Sequence, residues 1–212
     1  MIILFKNIIF DLDGVIINSR GVRAEALRVS YESVFGKGEL PPYDDFFKHS
    51  GDSLKNIFAK LNFPESMLSI YQKVSYENLN QINIHEGIVE LLHLINSKGY
   101  NCALCTGRER CRTDEFLGKF NIAHLFKIIV CSDDVRTPKP HPEGLFLVIE
   151  KLHVLKNDTV MIGDATNDIL AAKNAEIKSI AVTWGDTESD ELAKANPDFI
   201  VDSVQQLTEI CM

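Results

Sequence analysis

The 212-residue sequence has no surplus of positive charge and no apolar run long enough to cross a membrane. The formal net charge of −8 leaves no basic excess to displace phosphate counterions, so we expect no nucleic-acid partner. The apolar segment Met1–Phe10 carries Lys6 and is too short for a membrane span, so we expect no membrane association. No small-residue cleavage site follows it, which argues against a secretory signal.

The sequence has only five cysteines, and this odd number is typical of reduced thiols and not of a disulfide framework. Cys102 and Cys105 have the C-x-x-C spacing of redox motifs, but both lie in an apolar run typical of a β-strand. Side chains three positions apart in a strand point to opposite faces, so we expect no redox role for the pair. The sequence therefore predicts a cytoplasmic protein.

The chain is long enough for one large domain or for a domain with a modest insertion. Apolar runs of strand length alternate with helical patterns, which indicates an α/β fold with a parallel sheet covered on both faces. The predicted strands are Ile8–Phe10, Cys102–Thr106, Lys127–Ser132, Thr159–Asp164, Ser179–Trp184 and Phe199–Val201. The predicted helices between them are Ile88–Ser97, Arg112–Lys119, Pro142–Leu152 and Ile169–Asn174.

The stretch from residue 18 to residue 83 breaks this alternation, because it contains helical patterns and no convincing strand. The predicted helices there are Arg20–Phe35, Asp52–Leu61 and Pro64–Leu79. We interpret residues 18–83 as a helical insertion, with residues 1–17 and 84–212 forming the core. An insertion placed directly after the first strand would cover the carboxyl end of that strand as a lid.

The motif DLDG at residues 11–14 places Asp11 and Asp13 directly after the first predicted strand. Burying two acids beside an apolar strand is costly unless a cation or hydrogen bonds compensate. Ligands of open α/β sheets bind at the carboxyl ends of the strands, so the pair indicates a metal and nucleophile site. An ordinary Asp-Gly turn is the alternative. An EF-hand calcium loop is excluded, because Val15 and Ile16 occupy the positions that need an oxygen ligand and a glycine.

Three further polar signals come just past the ends of predicted strands. They are Thr106-Gly107-Arg108, then Lys139 within residues 137–142, then Asp164 and Asp168 within residues 163–168. Each alone has an ordinary explanation, as a helix cap, a solvated loop charge or a turn. Together they predict one common location, because the carboxyl ends of parallel strands meet at the same edge of the sheet.

In this order and spacing the four motifs resemble those of the haloacid dehalogenase superfamily. The resemblance is to its phosphatase branch with a helical cap, which includes phosphoglycolate phosphatases and β-phosphoglucomutases, and it covers essentially the whole chain. It implies a Rossmann-like core, a helical-bundle cap inserted after the first motif, Mg²⁺ as cofactor and a covalent aspartyl-phosphate intermediate. The second motif departs from the family pattern after Thr106, where Gly107 and Arg108 stand.

The residue types at these positions suit phosphoryl transfer. A carboxylate that approaches a phosphate dianion to about 3.5 Å is repelled by roughly 9 kcal/mol at an effective dielectric constant of about 20. A magnesium ion and Lys139 would together offset that repulsion. We therefore expect Asp11 to be the nucleophile and Asp13 to be general acid and then general base. Thr106 and Lys139 would bind the transferring phosphoryl group.

The same residues define the expected metal site. Asp11, Asp164 and the backbone carbonyl of Asp13 would hold Mg²⁺, with Asp168 orienting either the metal shell or Lys139. Loop amides and nearby cations are the candidates for substrate binding: Leu12, Gly107, Arg108, Lys48 and His49.

Asp13 favours a phosphatase or phosphomutase over a dehalogenase, because a departing halide needs no proton. A mutase needs a second phosphate anchor, and β-phosphoglucomutases place an arginine in a cap segment resembling residues 47–53, which contains none here. We therefore predict a Mg²⁺-dependent phosphomonoester hydrolase that acts on a small phosphorylated metabolite, as a monomer or homodimer. A phosphosugar mutase and a non-catalytic sensor of phosphorylated ligands are the alternatives.

Overall fold

A parallel β-sheet lies at the centre of residues 5–212, which are the residues that the computed structural model describes. The strands of the described residues are, in chain order, β1 (Asn7–Phe10), β2 (Ile17–Asn18), β3 (Asn83–Ile84), β4 (Asn101–Cys105), β5 (Ile128–Val130), β6 (Thr159–Gly163), β7 (Lys178–Val182) and β8 (Phe199–Val201). The short strands β2 and β3 lie outside the central sheet. The other six form the sheet in the order β5-β4-β1-β6-β7-β8, and every neighbouring pair is parallel. The first strand is therefore central, between β4 and β6.

Helices cover both faces of this sheet. In chain order the helices are α1 (Arg20–Phe35), α2 (Tyr43–Lys48), α3 (Leu54–Lys60), α4 (Glu65–Glu77), α5 (Ile88–Ser97), α6 (Arg110–Lys119), α7 (Glu143–Leu152), α8 (Thr166–Ala175), α9 (Ser189–Lys194) and α10 (Val204–Cys211). Ile8 and Phe10 of β1 pack into one apolar cluster, whereas Ile9 packs into the cluster on the other face. Cys102 and Cys105 are divided between the same two clusters, and all five cysteines are free thiols.

The helices α1 to α4 form a unit with an apolar core of its own. Phe46 packs edge-on against Phe58, and the ring centroid of Tyr71 lies 5.8 Å from that of Phe46. The two-residue strands β2 and β3 pair antiparallel at the point where the chain enters and leaves this unit, with Ile17 opposite Ile84. The insertion is thus joined to the sheet through a narrow two-strand neck.

The insertion differs from the sequence prediction at its helix ends. The predicted helix Asp52–Leu61 begins only at Leu54, because Ser53 caps it and accepts a hydrogen bond from the Asn56 N–H at 3.3 Å. The short helix α2 is absent from the helices that the sequence predicts, because the adjacent prolines Pro41 and Pro42 are typical of a break between elements. Pro42 instead stands at the start of α2, where a missing N–H costs nothing. None of the helices within residues 5–212 combines the length and apolarity that a membrane crossing requires.

Candidate active site

Three neighbouring strands deliver the first residues of the site. The last residues of β1, β4 and β6 are directly followed by Asp11, Thr106 and Asp164, respectively. The Asp11 N–H donates to the Ile162 carbonyl at 2.9 Å, and the Thr106 N–H donates to the Val130 carbonyl at 2.9 Å, so both residues continue the sheet ladder. Parallel register therefore brings the three side chains to one edge of the sheet.

Gly14 makes the close approach of the first loop possible. Its φ of 76° lies in the left-handed region, and a Cβ there would overlap the Asp164 carboxylate. The loop that carries Asp11 and Asp13 can therefore lie directly against the loop that carries Asp164.

Lys139 is buried at the centre of the site. Its Nζ donates to Asp11 Oδ1 at 2.7 Å, to Asp168 Oδ1 at 2.5 Å and to the Cys105 carbonyl at 3.0 Å. Burial alone would lower the pKa of Lys139, but Asp11 and Asp168 outweigh it and raise the pKa above its ordinary value. Lys139 is therefore a fixed positive charge beside the candidate nucleophile.

Three buried acids form a cluster suited to a metal ion. Asp11, Asp164 and Asp168 each offer a carboxylate oxygen, and these oxygens all lie within 4.8 Å of one another. Burial raises the pKa of Asp11 to about 7, although Lys139 opposes it, and burial with the nearby charge of Asp186 raises the pKa of Asp164 well above its ordinary value. Oxygen-only ligands and uncompensated negative charge fit Mg²⁺.

One orphaned atom supports that fit. Asp164 Oδ1 is buried and has no hydrogen-bond partner within the described residues, whereas Asp164 Oδ2 accepts from the Asp186 N–H at 2.6 Å. A buried carboxylate oxygen without a partner is costly unless a cation takes it. The residues present therefore match the donor set that Mg²⁺ requires.

Asp168 lies in the cluster but uses both of its oxygens. Its Oδ1 accepts from Lys139, and its Oδ2 accepts from the Ala165 N–H at 3.1 Å at the start of α8. Of the two roles expected for Asp168, this geometry favours the orientation of Lys139.

Asp13 is held by Arg108 in a two-point ion pair. Arg108 Nε donates to Asp13 Oδ2 and Nη2 donates to Oδ1, both at 2.6 Å, and the Ser19 hydroxyl also donates to Oδ1. Burial would raise the pKa of Asp13, but Arg108 outweighs it and holds the pKa at about 2. In this arrangement Asp13 is ionised, which is the form that a general base requires.

A cavity of about 250 Å³ lies between this edge of the sheet and the insertion. The core contributes Asp11, Asp13, Thr106, Gly107 and Arg108 to its wall, and residues 51–57 and 71–75 of the insertion contribute most of the opposite side. The side chain of Leu12 is fully buried in the core, so only its backbone amide is left for contact with a substrate.

The structure corrects two of the expected substrate contacts. Lys48 is exposed at the end of α2, and neither Lys48 nor His49 lines the cavity. The backbone carbonyl of His49 instead accepts from Asn167 Nδ2 of the core at 3.3 Å. The chain turns after α2, so the segment that begins at Gly51 reaches the cavity and brings Lys55 to its wall.

Two residues at the site escaped the sequence analysis. Arg23 of α1 is buried and lines the cavity, and its guanidinium pairs with the buried carboxylate of Asp186. Asp186 lies just past β7, so the strand-end rule that selected the other motifs also applies to it. No sequence signal distinguishes Arg23 from Arg20 or Arg28 on the same helix.

A parallel α/β sheet with a cluster of acids beyond its central strands, and with a buried lysine from the loop after β5 among them, defines a Rossmann-like enzyme with a polar site at its topological switch point. The family model described as haloacid dehalogenase-like hydrolase matches residues 8–182, and the chain belongs to that family. The predicted family, the α/β fold and the assignment as a hydrolytic enzyme are thereby confirmed.

Relatives match along nearly the whole chain. The pyrophosphatase PpaX of Halalkalibacterium halodurans is 28% identical over 209 residues, which cover 97% of this chain and 96% of that protein. A predicted phosphatase from Clostridium acetobutylicum has the same fold, with a TM-score of 0.85, 24% identity and 97% of each chain covered. A predicted phosphoglycolate phosphatase from Haemophilus somnus superposes with a TM-score of 0.80 at 21% identity, with 98% of each chain covered.

Proposed function

We propose that the protein is a Mg²⁺-dependent phosphomonoester hydrolase that acts on a small phosphorylated metabolite through an aspartyl-phosphate on Asp11. The observation that carries this proposal is the buried contact of Lys139 with Asp11, beside the unpartnered oxygen of Asp164. The family and the activities after which its relatives are named support phosphoryl transfer to water. A cavity of about 250 Å³ suits a small substrate.

Asp11, Asp164 and the backbone carbonyl of Asp13 would hold the ion. Bound there, Mg²⁺ would supply positive charge that offsets the repulsion between Asp11 and a phosphate dianion. Lys139 orients the Asp11 carboxylate and carries the second positive charge of the site. Thr106 would donate its hydroxyl to a phosphoryl oxygen, aided by the amides of Leu12, Asp13 and Gly107.

In the first step, a carboxylate oxygen of Asp11 attacks phosphorus while the bond from phosphorus to the ester oxygen breaks, and the leaving alkoxide takes a proton from Asp13. In the second step, Asp13 accepts a proton from water as that water attacks phosphorus. The bond between phosphorus and Asp11 then breaks and phosphate leaves. Asp13 can donate its proton only when Arg108 has turned away, because the ion pair favours the ionised form.

The helical insertion would act as a cap over this chemistry, with residues 18–83 as the cap and residues 1–17 and 84–212 as the core. Its separate apolar core and the narrow β2–β3 neck support movement as a unit. A closed cap excludes bulk water during transfer, and opening admits substrate and releases phosphate.

A phosphosugar mutase is the second candidate, because Arg23 brings a cap guanidinium to the cavity wall. Its charge is already matched by Asp186, with which it forms a buried ion pair, so hydrolysis is the better supported function. Phosphosugars distinguish the two candidates, since a mutase releases an isomerised sugar phosphate and a phosphatase releases inorganic phosphate.

The direct test is hydrolysis of p-nitrophenyl phosphate with freshly added MgCl₂, followed by a panel of phosphorylated metabolites and pyrophosphate. We expect Mg²⁺-dependent release of phosphate that EDTA abolishes. Absence of turnover with every substrate would favour the sensor of phosphorylated ligands instead.

A further inference from the structure

The loop after β7 carries a buried aspartate that touches the insertion and the acidic cluster at once. The carboxylate of Asp186 accepts from the Arg23 guanidinium and from the Ser50 hydroxyl, the latter at 3.1 Å. Its carbonyl accepts from Arg20 Nη1 at 2.6 Å. On the other side its N–H donates to Asp164 Oδ2 at 2.6 Å. Asp186 therefore connects three insertion residues to one candidate metal ligand.

The loop and Asp164 are in close contact. A Cβ on Gly185 would overlap the Asp164 side chain, so the backbone lies directly against that carboxylate. Because the Asp186 N–H holds Oδ2, the unpartnered Oδ1 is the atom left for a cation. The hydrogen bond to the second oxygen of a ligating carboxylate fixes its direction and tunes the metal affinity. A shift of residues 183–186 would therefore reorient the candidate ligand.

We propose that Asp186 is a positioning residue that couples the seating of the insertion to the affinity of the site for Mg²⁺. The proposal rests on the proposed function in taking Mg²⁺ as the ion. With the insertion seated, Arg23 and Ser50 fix the Asp186 carboxylate, and the loop holds Asp164 in its binding orientation. With the insertion lifted, those contacts break and the ion binds less tightly. Linkage then requires Mg²⁺ to favour the seated insertion by the same factor.

Charge alone predicts the opposite effect, which makes the coupling testable. Arg23 is a buried positive charge, and its guanidinium pairs with the carboxylate of Asp186, whose N–H donates to Asp164. Removal of that charge would strengthen cation binding if only Coulomb forces acted. If the contacts through Asp186 hold Asp164 in place, loss of the Arg23 guanidinium would weaken cation binding instead. The sign of the change in Mg²⁺ affinity therefore separates the two explanations.

The experiment measures Mg²⁺ binding to the full chain without substrate, by calorimetry and by the fluorescence of Trp184, the single tryptophan, which lies in the same loop. We expect Arg23→Gln to raise the Kd for Mg²⁺ about tenfold, as is usual for groups behind a ligand. Arg23→Lys should restore part of the affinity. The matched control is Arg28→Gln on the same helix. Arg28 forms ion pairs with Glu25 and Glu32 of its own helix, so the Kd of this variant should stay within about twofold of wild type.

An unchanged or lowered Kd in Arg23→Gln would overturn the proposal. Should that variant fail to fold, Ser50→Ala removes the neutral contact on Asp186, and a rise in Kd of about two- to threefold is expected. An unchanged Kd in Ser50→Ala would then overturn the proposal. If the wild-type protein itself shows no Mg²⁺ binding, the proposed function fails first, and that result is distinct from a variant effect.

Discussion

The ion pair between Asp13 and Arg108 controls the protonation of the candidate acid–base residue. Both side chains are mostly buried, and the two hydrogen bonds of 2.6 Å fix their relative orientation. Phe116 supports the arrangement, because the Arg108 guanidinium lies 4.6 Å above its ring. An anionic substrate group that competes for Arg108 would release Asp13 for proton transfer.

Arg108→Gln should destabilise the fold in a pH-dependent way. The folded pKa of Asp13 is about 2, below its ordinary value, so the pair stabilises the fold above pH 4 and loses its effect as the pH falls toward 2. We expect a loss of about 2 kcal/mol at pH 6 and a smaller loss at pH 3. Urea unfolding in EDTA at the two pH values measures both. An equal loss at pH 6 and pH 3 would contradict the assignment.

Asp11→Asn tests the nucleophile. An amide cannot form the acyl phosphate, so kcat should fall by a factor of about 10⁴ or more. The fold should persist, because the change replaces a buried carboxyl group whose pKa burial raises to about 7 with a neutral amide of the same size. Circular dichroism and the thermal midpoint verify the fold, and substantial retained turnover would remove the covalent mechanism.

At the scale of elements, the ends of β1, β4 and β6 account for most of what the sequence could predict. Apolar runs terminating in Asp11, Thr106 and Asp164 identify a shared sheet edge, because side chains just past parallel strands have few alternative positions. The contacts of the insertion could not be predicted in the same way. Whether Lys48 or Lys55 faces the cavity depends on the turn after α2, which no local pattern fixes.

Ion pairs between residues far apart in the sequence could not be predicted either. Arg23 and Asp186 are 163 positions apart, and in the sequence alone each is indistinguishable from an ordinary surface charge, although both are buried. The pairing of Asp13 with Arg108, 95 positions away, likewise follows from strand order and not from spacing. The positions of the motif residues could be predicted because each depends only on the end of the strand before it. To predict these ion pairs, the relative positions of two separate loops must be known.

Gly107→Ala tests the contact between the loop after β4 and the insertion. A Cβ at Gly107 would approach the Gly51 carbonyl to 2.8 Å and overlap the Asp52 backbone. We expect the insertion to be displaced, with kcat/KM reduced about 10- to 100-fold and the thermal midpoint changed little.

Gly118→Ala is the matched control for that change. Gly118 lies within α6, and a Cβ there meets no atom within 4 Å. This variant should keep its kcat/KM and gain about 0.5–1 kcal/mol of stability, because alanine favours the helix. Equal activity in the two variants would show that the insertion need not contact this loop.

At the scale of the whole molecule, the site joins two units with separate apolar cores. The two units are linked by the short β2–β3 neck, by the contacts of Asn167 with the His49 and Ser50 carbonyls and by the buried Arg23–Asp186 ion pair. Opening of the proposed cap would have to break the Asn167 contacts and that ion pair. The buried acids lie where the units meet, and their charge is balanced fully only when a cation is added.

Mg²⁺ should therefore stabilise the folded protein, and more at high pH. Because the folded pKa values of Asp11 and Asp164 are raised, the metal-free protein should lose stability as the pH rises from about 4 through about 7. Mg²⁺ at 100 times its Kd should restore about 2.7 kcal/mol at pH 8 and less at pH 5.5, where protons compete. Thermal unfolding with MgCl₂ or EDTA at both pH values measures this. A larger effect at pH 5.5 would contradict the account.

The most direct measurement traps the phosphorylated residue itself. The enzyme is mixed with p-nitrophenyl phosphate and Mg²⁺, quenched in acid during turnover and treated with borohydride, which reduces an acyl phosphate to an alcohol. Peptide mass spectrometry should then find homoserine at position 11, and only when substrate and Mg²⁺ were both present. Turnover with an unmodified Asp11, or with the mark on another carboxylate, would contradict the account.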